Sequence, residues 1–276
     1  MLFASGSLVK RLENAEASLV EAFARAFEST RETADVYISR LGGGVAVYAG
    51  EGTPFNKMAG LGFEPIDELA LADVEQQYAS RGMPLRAEVA TLADPELFKL
   101  LASRGYVLSG FENVLGLDLS ASQLPIPAEG VSVRHASADE EHAWIDTVLT
   151  GFLTPDQFDG PPPTETFERE LLEDVFGTAS TVEGVRKYLA RRDGVVAGGA
   201  SMRIHDGVAQ LSGASTLPAH RRRGVQTTLL AERLREAAAA GCDIAVVTTE
   251  PGSKSQQNVQ RQGFALLYAR AVMIRP

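Results

Sequence analysis

The chain has one cysteine among 276 residues, which excludes an intrachain disulfide framework and fits a reducing compartment. That residue, Cys242, opens an apolar stretch and reads as a small buried hydrophobe. No apolar run approaches the roughly 20 residues that a membrane-spanning helix needs. The start, Met1-Leu2-Phe3-Ala4-Ser5-Gly6-Ser7, lacks the basic region and apolar core of a signal peptide. Bases are outnumbered, 26 against 36 acids. The resulting net charge of −10 repels phosphate backbones and argues against general nucleic-acid binding. The histidines His135, His142 and His220 have no metal-ligand spacing with cysteines or carboxylates, so no metal is assigned. These absences leave a soluble cytoplasmic protein, without nucleic acid or membrane as partner, as the expectation.

What is present is 45% apolar side chains and a length that suggests two domains at roughly 150 residues each. Apolar periodicity predicts a helix over 8–29, with Leu12, Ala15, Leu19, Ala22 and Phe23 or Phe27 on one face. A hairpin follows around Gly42-Gly43-Gly44, then a glycine loop at 56–63 and a helix at about 66–80. A strand at 84–91, a helix at 95–104 and a hairpin-like extended tail at 106–119 complete the first half. The segment 120–130, with Pro125 and Pro127, is the best linker. The second half reads as a strand at 131–134, a helix at 138–149, a Pro/Gly-rich loop at 153–163 and a helix at 165–175. Strands at 188–191, 195–204 and 208–216, a helix past Gly224, a strand at 243–249, a short helix at 255–262 and a strand at 264–274 follow.

The halves repeat. Gly105-Tyr106 and Gly263-Phe264 each close a helix, and the same spacing aligns Ala87-Glu88-Val89-Ala90-Thr91 with Ala245-Val246-Val247-Thr248-Thr249. A duplicated domain accounts for this order, with boundaries at 1–124 and 125–276.

One stretch organises the chain chemically: Ala214-Ser215-Thr216-Leu217-Pro218-Ala219-His220-Arg221-Arg222-Arg223-Gly224-Val225-Gln226-Thr227. A strand ends at Pro218, passes three arginines and a glycine, and enters a helix carrying Val225, Leu229, Leu230 and Leu234 on one face. The first helical turn has unpaired N–H groups and partial positive charge, and glycine permits close approach of a phosphate. This reads as a pyrophosphate cradle. The tetrapeptide Arg-Arg-Arg-Gly by itself reads first as a solvated basic helix start; the strand before it and the helix after it carry the cradle reading.

From Thr216 to Gln226, and at Arg261-Gln262-Gly263-Phe264, the second half resembles the GNAT acyl-CoA-dependent N-acetyltransferases. The whole chain resembles tandem-GNAT proteins with a degenerate first copy. The resemblance implies an α/β fold of two tandem GNAT-like domains, each a central, mostly antiparallel mixed sheet flanked by helices. It implies acetyl-CoA as co-substrate and a small-molecule or peptide amine as acceptor, attacking the thioester directly. Backbone groups of Ala214, Ser215 and Thr216 would meet the pantetheine arm, and amides from Arg222 and Arg223 through Gly224, Val225 and Gln226 to Thr227 the pyrophosphate. A backbone N–H near the splayed strands would polarise the carbonyl. Gln226 stands where the family has Gly or Ala. Val259 stands where it often carries the tyrosine that protonates the leaving thiolate.

Around that gap, Ser255 and Asn258 are candidate donors toward sulfur or pantetheine, with helix-cap or surface roles as their alternatives. Glu250, at a strand end, is a candidate general base; a solvated strand-end carboxylate is the alternative. His205 and Asp206 read as a turn, and Tyr268 as packed in the last strand. The 153–163 loop would cover the acceptor or simply connect. Lys57-x-x-Gly60-x-Gly62 weakly echoes the cradle without its arginines, and no coenzyme is expected there. A Rossmann reading of these glycines fails for want of the strand–Gly–helix unit. A non-catalytic acyl-CoA-binding or scaffold protein is the competing function, and a homodimer is compatible with the sequence. Replacing Gly224 by glutamate is expected to abolish CoA binding and leave the fold intact.

Overall fold

The computed structural model describes residues 2–121, 123–154 and 168–276. The first half contains α1 (Gly6–Ser29), β1 (Val36–Leu41), β2 (Gly44–Ala49), β3 (Lys57–Ala59), α2 (Glu68–Ser80), β4 (Leu85–Ala90), α3 (Pro95–Ser103) and β5 (Val107–Asp118). The second contains β6 (Val131–His135), α4 (Glu141–Leu153), α5 (Arg169–Thr181), β7 (Val185–Arg192), β8 (Val195–His205), β9 (Val208–Thr216), α6 (Val225–Ala239), β10 (Ile244–Thr249), α7 (Lys254–Gln260) and β11 (Ala265–Arg275). Helices flank one mixed sheet of 11 strands, ordered β1-β2-β3-β4-β11-β5-β10-β9-β8-β7-β6.

That order contains an exchange. β5, the last strand of the first half, lies between β10 and β11, while β11 pairs with β4. Each half therefore donates its terminal strand to the other. The repeat is visible in the backbone: β3–β4 and β9–β10 are both parallel pairs. Gly105 and Gly263 close α3 and α7 at φ +89° and +90°. Each is followed by an aromatic, Tyr106 or Phe264, whose N–H bonds the carbonyl of Leu101 or Val259. A left-handed glycine after the helix satisfies the otherwise orphaned last carbonyls.

Four expected elements change, beginning with the 56–63 loop, which contains the short strand β3 (Lys57–Ala59) paired to β2 and β4. The 106–119 tail is not a hairpin but one strand of 12 residues, because partners on both sides keep it extended through Gly110 and Gly116. The helix expected to end at residue 175 runs to Thr181, through Gly177, and the buried Thr178 beyond it accepts a hydrogen bond from Arg31, just past the end of α1, at 3.1 Å. Residues 165–167 of that helix and 155–163 of the expected loop lie outside the described residues. Ser137 and Glu140 form a capping box on a 3-10 turn ahead of α4, so that helix starts slightly later than expected.

The apolar interior follows the exchange. Leu115 and Leu117 of β5 pack in one cluster with Leu229, Leu230 and Leu234 of α6, Ala245 of β10 and Phe264. Val9, Leu12 and Ala15 of α1 cluster with Val208 of β9 and Ile244 and Val246 of β10. Helix α1 belongs to the first half by sequence and covers the second half's parallel strand pair.

Candidate active site

Strands β9 and β10 pair from Val208/Ile244 to Gln210/Val246 and then part. Beyond that point β9 stays bonded to β8, and β10 to β5. The register between β8 and β9 shifts between Gly199/Ser215 and Ser201/Ser212. Gly213 (φ +57°) and Ala214 lie in that bulge, which bends β9 away from β10. The divergence opens a cleft of about 730 Å³, within the range of small-molecule sites.

At one end of the cleft stands the mouth of α6. Gly224 adopts φ +75° as its N-cap. Backbone bonding resumes with Thr228 N–H donating to Gly224 O at 2.9 Å. Among the described residues, the amides of Arg222, Arg223, Gly224, Val225, Gln226 and Thr227 find no acceptor. Arg222, itself at φ +58°, and Arg223 are exposed. Such a run of unpaired donors at a helix N-terminus attracts an oxyanion.

The sequence candidates distribute unevenly. Ala214, Gln226, Thr227, Glu250, Ser255 and Asn258 line the cleft. Ser215 turns its hydroxyl to the carbonyl of Thr147 at 3.0 Å, and Thr216 gives its carbonyl to Arg221 Nε at 3.2 Å. Arg221 also reaches the carbonyl of Thr154. Val225 is buried against the α6 face of the sheet. Asn258 Nδ2 donates to Gln226 Oε1 at 3.0 Å, tying α7 to α6. Ser255 is exposed in the first turn of α7; the cap is Ser253, whose Oγ accepts from Gln256 N at 3.2 Å. Val259 is buried in the core. Glu250 directly follows β10, with its carbonyl accepting from Ser253 N at 3.2 Å. His205 Nδ1 lies 3.4 Å from Ser18 Oγ. Tyr268 packs in β11 and donates to Glu13 Oε1 at 2.6 Å.

Gly224 is also a packing position. A Cβ there would meet Ala128 Cβ at 2.2 Å, on a backbone that L side chains rarely adopt. The expectation that glutamate at this position leaves the fold intact is therefore corrected.

The first-half echo is spent on structure. Lys57 is buried and bonded to Glu88 at 2.8 Å and Glu16 at 3.0 Å. Gly62 donates to Gly42 O at 3.1 Å. A Cβ on Gly60 would meet Ala17 Cβ and Glu13 O of α1, each at 3.0 Å.

The floor of the cleft carries residues that sequence reasoning missed. Glu16 and Lys57 line it beside Arg270, Gln210 and Arg233. Arg270, 2% exposed, bonds Glu13 at 2.8 Å and lies 3.6 Å from Glu112 and 3.9 Å from Glu16. Burial alone would raise the Glu16 carboxyl, but Lys57 and Arg270 outweigh it and bring the pKa down to about 2. Burial and the neighbouring Glu88 push Glu112 upward. The only sequence signal was two glutamates, Glu13 and Glu16, interrupting the apolar side of α1.

A depressed carboxyl stabilises the fold above its unfolded pKa, and that contribution is lost as pH falls through the folded value. Unfolding free energy is thus expected to drop by up to about 3 kcal/mol between roughly pH 4.5 and pH 2. Denaturant titrations across that window should show the Glu16→Gln variant with a flatter slope. An unchanged slope would remove Glu16 from the acid response.

Among the described residues, no three His, Cys, Asp or Glu side chains group as metal ligands, and no helix is long and apolar enough to cross a membrane. Residues 153–264 match the family model described as Acetyltransferase (GNAT) family. The chain is similar in structure to a GCN5-related N-acetyltransferase from Kribbella flavida, at 20% identity and TM-score 0.64, covering 94% of this chain and 95% of that one. It is also similar to a tandem GNAT protein from the clavulanic acid biosynthesis pathway, at 15% identity and TM-score 0.60, covering 99% and 96%. A GCN5-related N-acetyltransferase from Sphaerobacter thermophilus aligns at 16% identity and TM-score 0.56, covering 88% and 75%. No curated protein matches the chain significantly.

Proposed function

We propose that the chain, whose residues 153–264 match the GNAT family model and whose fold is similar to a tandem GNAT protein, transfers an acetyl group from acetyl-CoA to an amine, using the cleft between β9 and β10. The observation that carries this reading is the run of amides from Arg222 to Thr227 that find no acceptor among the described residues, at the helix mouth beside the point where two parallel strands separate. A diphosphate at that helix mouth fits the donors, and the pantetheine arm runs along the cleft past Ala214, Gln226, Thr227 and Asn258. The bulge at Gly213–Ala214 leaves amides outside the β8 ladder, suited to the oxygen charge that develops when the thioester carbonyl is attacked. The amine nitrogen forms the new C–N bond, the C–S bond breaks, and the thiolate is released. Glu250, on the cleft wall, takes the amine's proton directly or through water.

The second reading, an acyl-CoA-binding protein without turnover, is favoured by one feature: Val259 puts a buried aliphatic side chain at the α7 position where the thiolate's proton donor would stand. Calorimetry with acetyl-CoA and a thiol-release assay over an amine panel decide between the two. Binding with no thiol release above background selects the second. Arg222→Gln and Arg223→Gln should each lower CoA affinity about tenfold, since charge-assisted bonds contribute roughly 1.5–3 kcal/mol. Unaltered affinity in both would remove the two guanidinium groups from the diphosphate's contacts and leave only the main-chain amides to hold it.

A further inference from the structure

Arg233 of α6 is 3% exposed and lines the cleft. Its Nη1 donates to the carbonyls of Ser201 at 3.0 Å and Ser212 at 3.4 Å, and its Nε to Leu229 O at 3.2 Å. Those acceptors are neutral backbone groups. Among the described residues Nη2 makes no hydrogen bond, and no carboxylate lies within ion-pair distance of the guanidinium. The other buried cations on the cleft wall differ: Lys57 has Glu88 at 2.8 Å, and Arg270 has Glu13 at 2.8 Å. Arg203 also lacks an ion pair, but it bonds Ser18 and Gln210 under α1 and is not part of the wall. A buried charge without a counter-ion is costly. The cost shows in Arg233 itself, which burial brings down to about 10.

The coenzyme's diphosphate is the wrong anion for this group. Nine residues of α6, a rise of about 13 Å, separate Arg233 from Gly224 at the helix mouth. Arg233 instead touches Ser212, two residues past the point where β9 and β10 part. That is the end of the cleft where the two strands are still paired, and on the acyltransferase reading the acyl group and the attacking amine meet there. The cleft lining includes Gln210, Leu211, Ser212 and Leu230. The charged floor groups Glu16, Lys57 and Arg270 are already paired with opposite charges, so among the described residues Arg233 is left as the buried cation of this wall without a carboxylate.

We propose that Arg233 is a carboxylate subsite: the ligand at this end of the cleft carries a carboxylate that completes this guanidinium. The proposal rests on the acyltransferase reading, and two sources share the chemistry. The carboxylate belongs either to the far end of a dicarboxylic acyl chain on the coenzyme or to an amino-acid-like acceptor.

The test uses the full chain and matched ligands. In the donor arm, affinities for malonyl-CoA and succinyl-CoA are measured against acetyl-CoA and butyryl-CoA. In the acceptor arm, thiol release from acetyl-CoA is compared for phenylalanine against phenethylamine, lysine against cadaverine, and serine against ethanolamine. The same amines are titrated calorimetrically without coenzyme. One arm should favour the carboxylated members about tenfold or more. Arg233→Met should shrink that gap below threefold, while Arg233→Lys keeps part of it. A merely structural role for Arg233 would weaken both members of a pair alike. No carboxylate preference in either arm of the unaltered protein, or a gap that survives Arg233→Met, overturns the subsite; if Arg233→Met does not fold, Arg233→Lys and the unaltered protein decide. Failure to bind CoA at all overturns the coenzyme reading instead, and the coenzyme-free titrations then decide the subsite alone.

Discussion

Residues 125–276 produced without the first half are expected to show no cooperative thermal transition and to lack the CoA binding proposed for the full chain. The reason is the position of β5. All of β10, from Ile244 to Thr249, is hydrogen-bonded to β5 from Asp118 to Asn113. Removing the first half converts β10, a central strand, into an edge and leaves β11 without either partner. Bare edges of this kind pair with other chains. The deletion also strips Leu115 and Leu117 from the α6 cluster, and the α1 residues Leu12, Glu16 and Leu19 from the cleft wall. Co-production of 1–124 should restore both properties. The competing outcome is specific. If β11 folds back into the place of β5, the isolated second half will melt cooperatively and bind CoA within a few-fold of the full chain, and the exchange would then not be needed for the site.

The second large effect concerns Arg270. Arg270→Leu is expected to lower stability by about 3–5 kcal/mol, the usual result of removing one partner from a buried ionic cluster. Three glutamates face the guanidinium, Glu13 at 2.8 Å, Glu112 at 3.6 Å and Glu16 at 3.9 Å, and their charges would remain buried without it. At this chain length the melting temperature should fall by about 10 °C. The double variant Arg270→Leu/Glu13→Leu should recover part of the loss, because both halves of the closest pair are then apolar. A loss below about 1 kcal/mol in the single variant would mean that water reaches the cluster and screens it.

Much of the local structure was legible. The 8–29 helix, the hairpin at Gly42–Gly44, the strand that ends before Pro218 and the helix past Gly224 all lie close to their expected positions. Each depends on short-range rules: apolar spacing, a proline without N–H, or a glycine at positive φ. The candidate site was legible only on one wall. Ala214, Gln226, Thr227, Glu250, Ser255 and Asn258 come from one continuous stretch and its following strand and helix, and all six line the cleft. Glu16, Lys57 and Arg270 reach the same cleft from α1, β3 and β11, and nothing in their local sequence links them. Ser255 was weighed as a helix cap, yet Ser253 two residues earlier holds that place, which shows how closely cap positions compete.

The amino-acid order alone determined the Arg/Gly turn into α6 and the repeated helix–glycine–aromatic–strand unit. Both are set within a few residues, by backbone conformations that the neighbours impose. Which strand stands beside which was decided only in the folded molecule. β5 and β11 are copies of one element, so the pattern within either is compatible with both places in the sheet. Their exchange, the roof of α1 over the parallel pair and the burial of Glu13 and Glu88 against Arg270 and Lys57 depend on contacts between residues far apart in the chain, where packing and charge neutralisation outweigh local preference.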